Sequence, residues 1–335
     1  MSRSLGAVLR PLAFTAFIPL TGCNALLGLL GLDDLALVGV MPAAGYADPG
    51  SADYGTFFVA IGGENKKGEF VAPVVNLLEV RDESGEPLVV DKGEEKQGTD
   101  EGSMYVLVDE SSSLLDTDPD EHRKEAVALL ARKLGKCASG WRMSLHGFDG
   151  YQVREIVPWT DNLGQVESAA ADLVANGSTN LYDAVIESVP SVGNDVSASF
   201  NGGGNTVGQA MVVISDGADT ASSASRDEMT QAAASGGTPV HTVGLGPASD
   251  HADNVDMNLV GVLREVSDVS GGVYGAASDA TDLPRIADAI AQAHCGGYTV
   301  LVVQDDTPAE SGSLVDGEVG VIETDVSVPF SFVAP

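Results

Sequence analysis

Two stretches of the chain bring a carboxylate to the end of an apolar run. In Met104 to Ser113, MYVLVDESSS, the residues Asp109, Ser111 and Ser113 have the spacing D-x-S-x-S. In a tight turn that spacing aims one anionic and two neutral oxygens at a single point, the donor set that hard cations such as Mg2+ prefer. In Met211 to Asp216, MVVISD, a second carboxylate arrives in the same way, and Gly217 lets the chain turn immediately after it. A third oxygen donor, Thr179, lies in GSTNLYDA just before a predicted helix. Each has a plainer reading, because serine, threonine and aspartate are also ordinary helix and turn caps. Ligation gains over capping from the shared placement of the three groups.

That placement follows from the elements around them. Apolar runs such as MYVLV and MVVIS read as strands buried on both faces, which belong to parallel sheets covered by helices. From Ser103 to Cys295 strands and helices alternate. The predicted strands after the first are 142–148, 152–157, 210–215, 240–245 and 273–276. The predicted helices are 120–134, 164–174, 181–189, 226–234, 259–269 and 283–294, and the glycine-rich 194–208 reads as a loop. Asp149-Gly150 is a hairpin signal, so 152–157 should be an antiparallel edge strand. The expected fold is α/β, a doubly wound, mostly parallel sheet over residues 103–295. Asp109, Thr179 and Asp216 then share the carboxyl edge, where open α/β sheets bind ligands.

On either side the pattern changes. Short alternating or β-branched segments at 56–61, 69–71, 75–80 and 87–90, closed by the acidic 91–102, have counterparts at 298–304, 318–323 and 326–333. Neither end alone has enough strands for a stable sheet. Residues 54–102 and 296–335 are therefore expected to pair as one flanking all-β sandwich, split by the insertion of the α/β domain.

The amino terminus reads as a targeting segment. Arg3 and Arg10 precede an apolar Leu12 to Leu20, and Leu20-Thr21-Gly22-Cys23 follows. This ending resembles the lipobox of bacterial lipoproteins, which implies a signal peptide over 1–22, an acylated Cys23, and a lipid anchor and tether over 23–53. The competing reading is an uncleaved anchor helix, since apolar residues continue from Ala25 to Leu32 and the run approaches the ~20 residues a bilayer needs. Both put the chain outside the cytoplasm, held to a membrane of a bacterial cell envelope. In such a compartment Cys137 and Cys295 are expected to pair as a disulfide, the alternative being two buried thiols. With 17 Lys and Arg against 49 Asp and Glu, the formal charge of -32 excludes a nucleic-acid partner and favours cations or basic partners.

Over about Ser103 to Cys295 the sequence resembles the von Willebrand factor type A domain family, and within it the members that carry a metal-ion-dependent adhesion site. The family's D-x-S-x-S, distal threonine and distal aspartate fall on Asp109, Ser111, Ser113, Thr179 and Asp216, in order. The GSTNLYDAV, ISDGADT and LREVSDVSGGVY segments add softer support. The resemblance implies one divalent cation, Mg2+ first with Mn2+ or Ca2+ as alternatives, and a protein partner that completes its coordination with a carboxylate. One departure is Glu110, which would add charge beside the ion. The segment Asp116 to Asp120 lacks the glycine and glutamate of an EF-hand and reads as a solvated acidic loop. No enzyme is expected: His122, His146, His241, His251 and His294 are scattered, with His146 and His241 inside strands, and no G-x-S-x-G elbow occurs. A metal-dependent adhesion module leads, with a metal-independent envelope scaffold and a hydrolase of unrecognised site as alternatives.

Overall fold

In the computed structural model of the protein, the described residues are 36–42, 55–64, 70–96, 98–99, 101–137, 140–199, 208–249, 254–277, 279–306, 308–309, 314–322 and 326–333. The signal peptide expected over 1–22, Cys23 and the apolar 25–32 lie outside them.

The first strands are β1 (Ala36–Pro42), β2 (Thr56–Glu64), β3 (Phe70–Val71), β4 (Leu78–Asp82) and β5 (Pro87–Lys96). The central run follows with β6 (Glu101–Asp109), α1 (Leu114–Thr117), α2 (His122–Leu134), β7 (Gly140–Phe148), β8 (Val153–Thr160), α3 (Leu163–Ala169) and α4 (Leu181–Ser199). Then come β9 (Gly208–Ser215), α5 (Arg226–Ser235), β10 (Val240–Gly244), α6 (Met257–Ser270), β11 (Tyr274–Ala276) and α7 (Leu283–Cys295). The chain closes with β12 (Tyr298–Gln304), β13 (Leu314–Val321) and β14 (Ser327–Val333).

The six-stranded sheet has the order β11-β10-β9-β6-β7-β8. Every pair in it is parallel except β7 with β8. This is the expected doubly wound sheet with one antiparallel edge. Period-two alternation sends successive side chains of β6 to opposite faces. Met104, Val106 and Val108 join Val127, Leu130 and Leu134 of α2 and Ile286 and Ile290 of α7. Tyr105 and Leu107 join Leu181 and Val185 of α4, Met229 of α5 and Leu263 of α6. Each fully buried Leu or Val contributes roughly 1.5–3 kcal/mol, so both faces hold β6 rigidly. From β6 the chain runs to β7 on one side and returns to β9 on the other, which makes the β6/β9 boundary the topological switch point.

The two chain ends do pair. They form one eight-stranded sheet in the order β1-β2-β12-β5-β4-β13-β14, with β3 added to β2. β5 belongs to both halves, pairing β4 through Pro87 and Leu88 and β12 from Val89 onward, with a register break opposite Val302 and Val303. An irregularity of this kind bends a strand, and the halves approach each other so that Phe57 of β2 lies 5.7 Å, ring to ring, from Phe330 of β14.

The strand expected at 75–80 is a 3-10 turn over Val75–Leu77 followed by β4, and further boundaries differ from the sequence expectation. Residues 36–42, assigned there to the tether, are β1, antiparallel to β2; a short strand completed by a distant partner carries no local signal of its own. β5 continues through the acidic segment to Lys96, because Asp91, Lys92, Glu94 and Glu95 are exposed while the backbone of Lys92, Glu94 and Glu95 pairs with β12. α4 passes Pro190 and reaches Ser199, beyond the expected end at 189.

The two units are fastened where the chain crosses between them. Lys133 of α2 is 2.8 Å from Glu64 of β2 and 2.9 Å from Asp288 of α7. Cys137 and Cys295 form a disulfide with a Cα–Cα distance of 5.8 Å, tying the end of α2 to the end of α7. Among the described residues no helix is long and apolar enough to cross a membrane. The cross-link closes 158 residues, and in the chain-entropy picture a loop of this length stabilises by about 5 kcal/mol. Replacing both cysteines by serine should lower the urea-unfolding free energy by up to that amount, and alkylation without reductant should leave Cys137 and Cys295 unmodified in the native protein.

Candidate metal centre

β6 and β9 end side by side, with Val108 in register with Ile214. Asp109, the last residue of β6, is 0% exposed, and Asp216, the residue after β9, is 2% exposed. Both oxygens of Asp109 are held. Ser111 N–H donates to Oδ1 at 2.8 Å, and the Ser215 hydroxyl donates to Oδ2 at 2.7 Å while accepting from Gly217 N–H at 3.0 Å. Ser215 is not among the donors that the D-x-S-x-S, Thr and Asp pattern marks; its signal is its position directly before Asp216 at the end of an apolar strand. Gly217 has φ +78°, and a Cβ there would lie 2.5 Å from that of Ala248, so the turn after Asp216 requires glycine.

The hydroxyls of Ser111 and Ser113 are 2.9 Å apart. The Ser113 hydroxyl and Ala218 N–H bond the Asp216 carboxylate, yet its Oδ1 is buried with no hydrogen-bond partner among the described residues. A buried carboxylate oxygen left in this state is costly unless something positive reaches it. Burial, and after it the negative charge of Asp216, push the Asp109 carboxyl up to about 7. Burial also raises Asp216, against the Ser113 and Ala218 hydrogen bonds. Two buried carboxylates, the charge of Asp216 raising Asp109, with no countercharge beside them among the described residues, fit a divalent cation.

Thr179 is buried in the adjoining loop. Its N–H donates to Thr220 Oγ1 at 3.0 Å, and its carbonyl accepts from the N–H groups of Thr220 and Ala221, both at 2.9 Å. The Asp216 loop is fastened to α4 on both sides of this contact. Tyr182 N–H donates to Asp219 at 2.9 Å, Asp183 N–H donates to the Ser222 hydroxyl at 3.0 Å, and the Asp183 carboxylate accepts from Ser223 and Ala224 N–H. The aspartates of GSTNLYDAV and ISDGADT are thus reciprocal caps that lock the Thr179 and Asp216 loops together. The fold therefore gathers Asp109, Ser111, Ser113 and Asp216 at one point and holds Thr179 in the loop beside them. Among the described residues no three His, Cys, Asp or Glu side chains converge as a metal cluster, and this site brings together two carboxylates with hydroxyls.

Glu110 corrects an expectation. Its carboxylate is buried and turned away from the site, accepting from Arg154 of β8 at 3.1 Å and from Val174 N–H at 2.8 Å. It crosses β7 at Gly147, where a Cβ would come within 2.1 Å of Glu110 Oε2. Glu110 is a clamp on the 172–177 loop, which also accepts Ser112 N–H at the Gly177 carbonyl. The acidic loop before α2 is likewise not wholly solvated. Asp118 is 1% exposed and accepts from the buried Arg123 at 2.7 Å and from His122 N–H at 2.7 Å, closing the start of the helix.

Of the described histidines, His146, His241 and His294 are engaged with other partners. His146 stacks on Tyr105 with ring centroids 4.2 Å apart, and burial lowers it to about 4. His241 and His294 meet Nε2 to Nε2 at 2.7 Å, and His241 Nδ1 accepts from Val273 N–H.

The family model described as von Willebrand factor type A domain matches residues 104–218. No curated protein matches the chain. Among solved structures, the proximal thread matrix protein 1 of the mussel byssus is similar at 16% identity and a TM-score of 0.44, covering 60% of this chain and 50% of that one. A second structure of that protein is described as having a zinc-occupied MIDAS motif. The pilus adhesin SpaC of Lactobacillus rhamnosus GG is similar at 10% identity and a TM-score of 0.47, covering 87% of this chain and 46% of that one. The manganese-loaded TRAP protein of Plasmodium vivax is similar at 14% identity and a TM-score of 0.38, covering 72% and 96%. This chain spans half the length of the first of these proteins.

A carboxyl whose folded value lies above its unfolded one binds more protons when folded, so its contribution to stability is lost as pH rises, here from about 4 to about 7. A cation would offset the charge that appears over that window. The rise in melting temperature on adding Mg2+ should therefore be larger at pH 8 than at pH 5, and absent in Asp109→Asn at both.

Proposed function

We propose that the chain, whose residues 104–218 match the family model of the von Willebrand factor type A domain, is a membrane-tethered, extracytoplasmic binding module that engages a protein partner through one divalent cation. The observation that carries this reading is the pair of buried carboxylates at the switch point with an unpartnered Asp216 Oδ1. Ser111, Ser113 and Thr179 would offer neutral hydroxyls, and Asp109 and Asp216 the negative charge. The donor set has few carboxylates, which suits Mg2+ ahead of Ca2+, with Mn2+ an acceptable substitute. When bound, the cation supplies an electrophilic point that a carboxylate of the partner completes. Ser215 and the Ser111 N–H fix the orientation of Asp109, and the Asp183 and Asp219 caps keep the Thr179 and Asp216 loops from drifting apart.

The formal charge of -32 repels an acidic partner at long range, so docking rests on the ion. Binding, not turnover, is the proposed activity, because the site offers oxygens for an ion and His146, His241 and His294 are engaged with other partners. Tethering rests on the LTGC sequence that ends at Cys23 and, with it, a place in a bacterial cell envelope.

Pull-down from envelope material should capture a partner in Mg2+ that chelator releases and that Asp216→Ala fails to capture. Capture that survives chelator would favour a metal-independent scaffold. For the tether, Cys23→Ser should leave the protein unprocessed or free of membranes; unchanged length and membrane association would overturn it.

A further inference from the structure

Of the eight large apolar residues that stand exposed among the described residues, Val89, Val269 and Ile322 are dispersed and five, Leu115, Tyr151, Val174, Val255 and Met257, belong to segments at the carboxyl edge of the six-stranded sheet. Such residues scattered singly need no explanation, but their concentration at a ligand edge does. Local contacts tie each to the metal centre. Leu115, 63% exposed, is two residues past Ser113. Tyr151, 87% exposed, tips the β7–β8 hairpin, and a Cβ on the preceding Gly150 would lie 1.7 Å from Ser178 Oγ, beside Thr179. Val174 sits in the loop that Glu110 clamps. Val255 and Met257 lead into α6, whose Leu259 meets the turn at Gly217.

Nothing in the fold obliges the Tyr151 ring to stand in water. The hairpin is already closed by Asp149, whose carboxylate accepts from Tyr151 N–H at 2.8 Å and Gln152 N–H at 3.2 Å. Tyrosine gives a rigid, amphipathic contact at low entropic cost, which is why it serves as an interface anchor. Outside the apolar residues the edge is acidic, with Asp116, Asp120 and Asp172 exposed.

We infer that the partner presents a carboxylate flanked on both sides by apolar residues, with lysine or arginine beyond them, and that Tyr151 and Leu115 select it by burying those flanks. The occupant is a segment of a different protein: two copies of a chain with a formal charge of -32 repel each other, and the acidic outer ring complements a basic surround. The inference rests on the proposed reading of the metal centre and adds to it what the ion alone cannot provide, a choice among carboxylates.

Labelled nonapeptides with a central glutamate, flanked by leucine and phenylalanine or by serine on both sides and ending in lysines, test this on the full-length protein by fluorescence polarisation in Mg2+ and in chelator. The apolar-flanked peptide should bind in Mg2+ at least about tenfold tighter than the serine-flanked one, the effect of one buried anchor. Tyr151→Ser with Leu115→Ser should erase that preference while leaving Mg2+ affinity in calorimetry unchanged. Equal Mg2+-dependent binding of both peptides by the wild type, or a preference that survives the double substitution, would overturn this inference and leave the ion-dependent reading standing. Chelator-insensitive binding, or no binding of either peptide, would overturn both.

Discussion

Asp109 and Asp216 are two like charges held out of water at the same end of two adjacent parallel strands. Bringing them there costs free energy, and the surrounding structure offsets it only in part. Ser215 and Ser111 satisfy Asp109, and Ser113 and Ala218 bond Asp216, but one oxygen of Asp216 stays unpartnered. The cost is borne by the packing of β6 and β9, whose apolar residues are buried between helices on both faces. A strand end this firmly held can carry a destabilising charge without moving, which is what a preorganised ion site requires.

Around that strained edge most loops are fixed by hydrogen bonds from their own side chains. Asp183 and Asp219 cap across the gap between the Thr179 and Asp216 loops. Glu110 reaches over Gly147 to Arg154 and Val174, and Asp118 closes the start of α2 against Arg123. Several acidic residues near the site therefore have positions and jobs, and much of the remaining acidity faces solvent. At the opposite end of the sheet, the disulfide and the His241–His294 pair brace α7 just before the chain leaves for β12. Stability and recognition are thereby separated in space.

The parallel sheet was legible in the sequence because its strands are buried on both faces, and continuous apolar runs such as MYVLV and MVVIS admit few other readings. The positions of Asp109 and Asp216 followed from where those runs stop. β1 was not legible, because ALVGVMP becomes a strand only through β2, which follows across a dozen residues of tether-like composition. The continuation of β5 was masked by Asp91, Lys92, Glu94 and Glu95, whose charges say nothing about the backbone pairing to β12 beneath them. Glu110 was misread for a different reason: adjacency to Asp109 in sequence suggested adjacency in space, whereas the alternation of an extended chain turns neighbouring side chains to opposite sides. Its partner, Arg154, lies 44 residues away, beyond the reach of any local pattern.

Under the proposed function the five oxygen donors hold one divalent cation. Calorimetric titration of Mg2+ into the wild type, Asp109→Ala and Asp216→Ala at pH 8 tests it most directly, with folding checked by circular dichroism. One site per chain is expected in the wild type and none in either variant, both of which keep the native spectrum. Equal Mg2+ affinity in the wild type and in Asp109→Ala would contradict it.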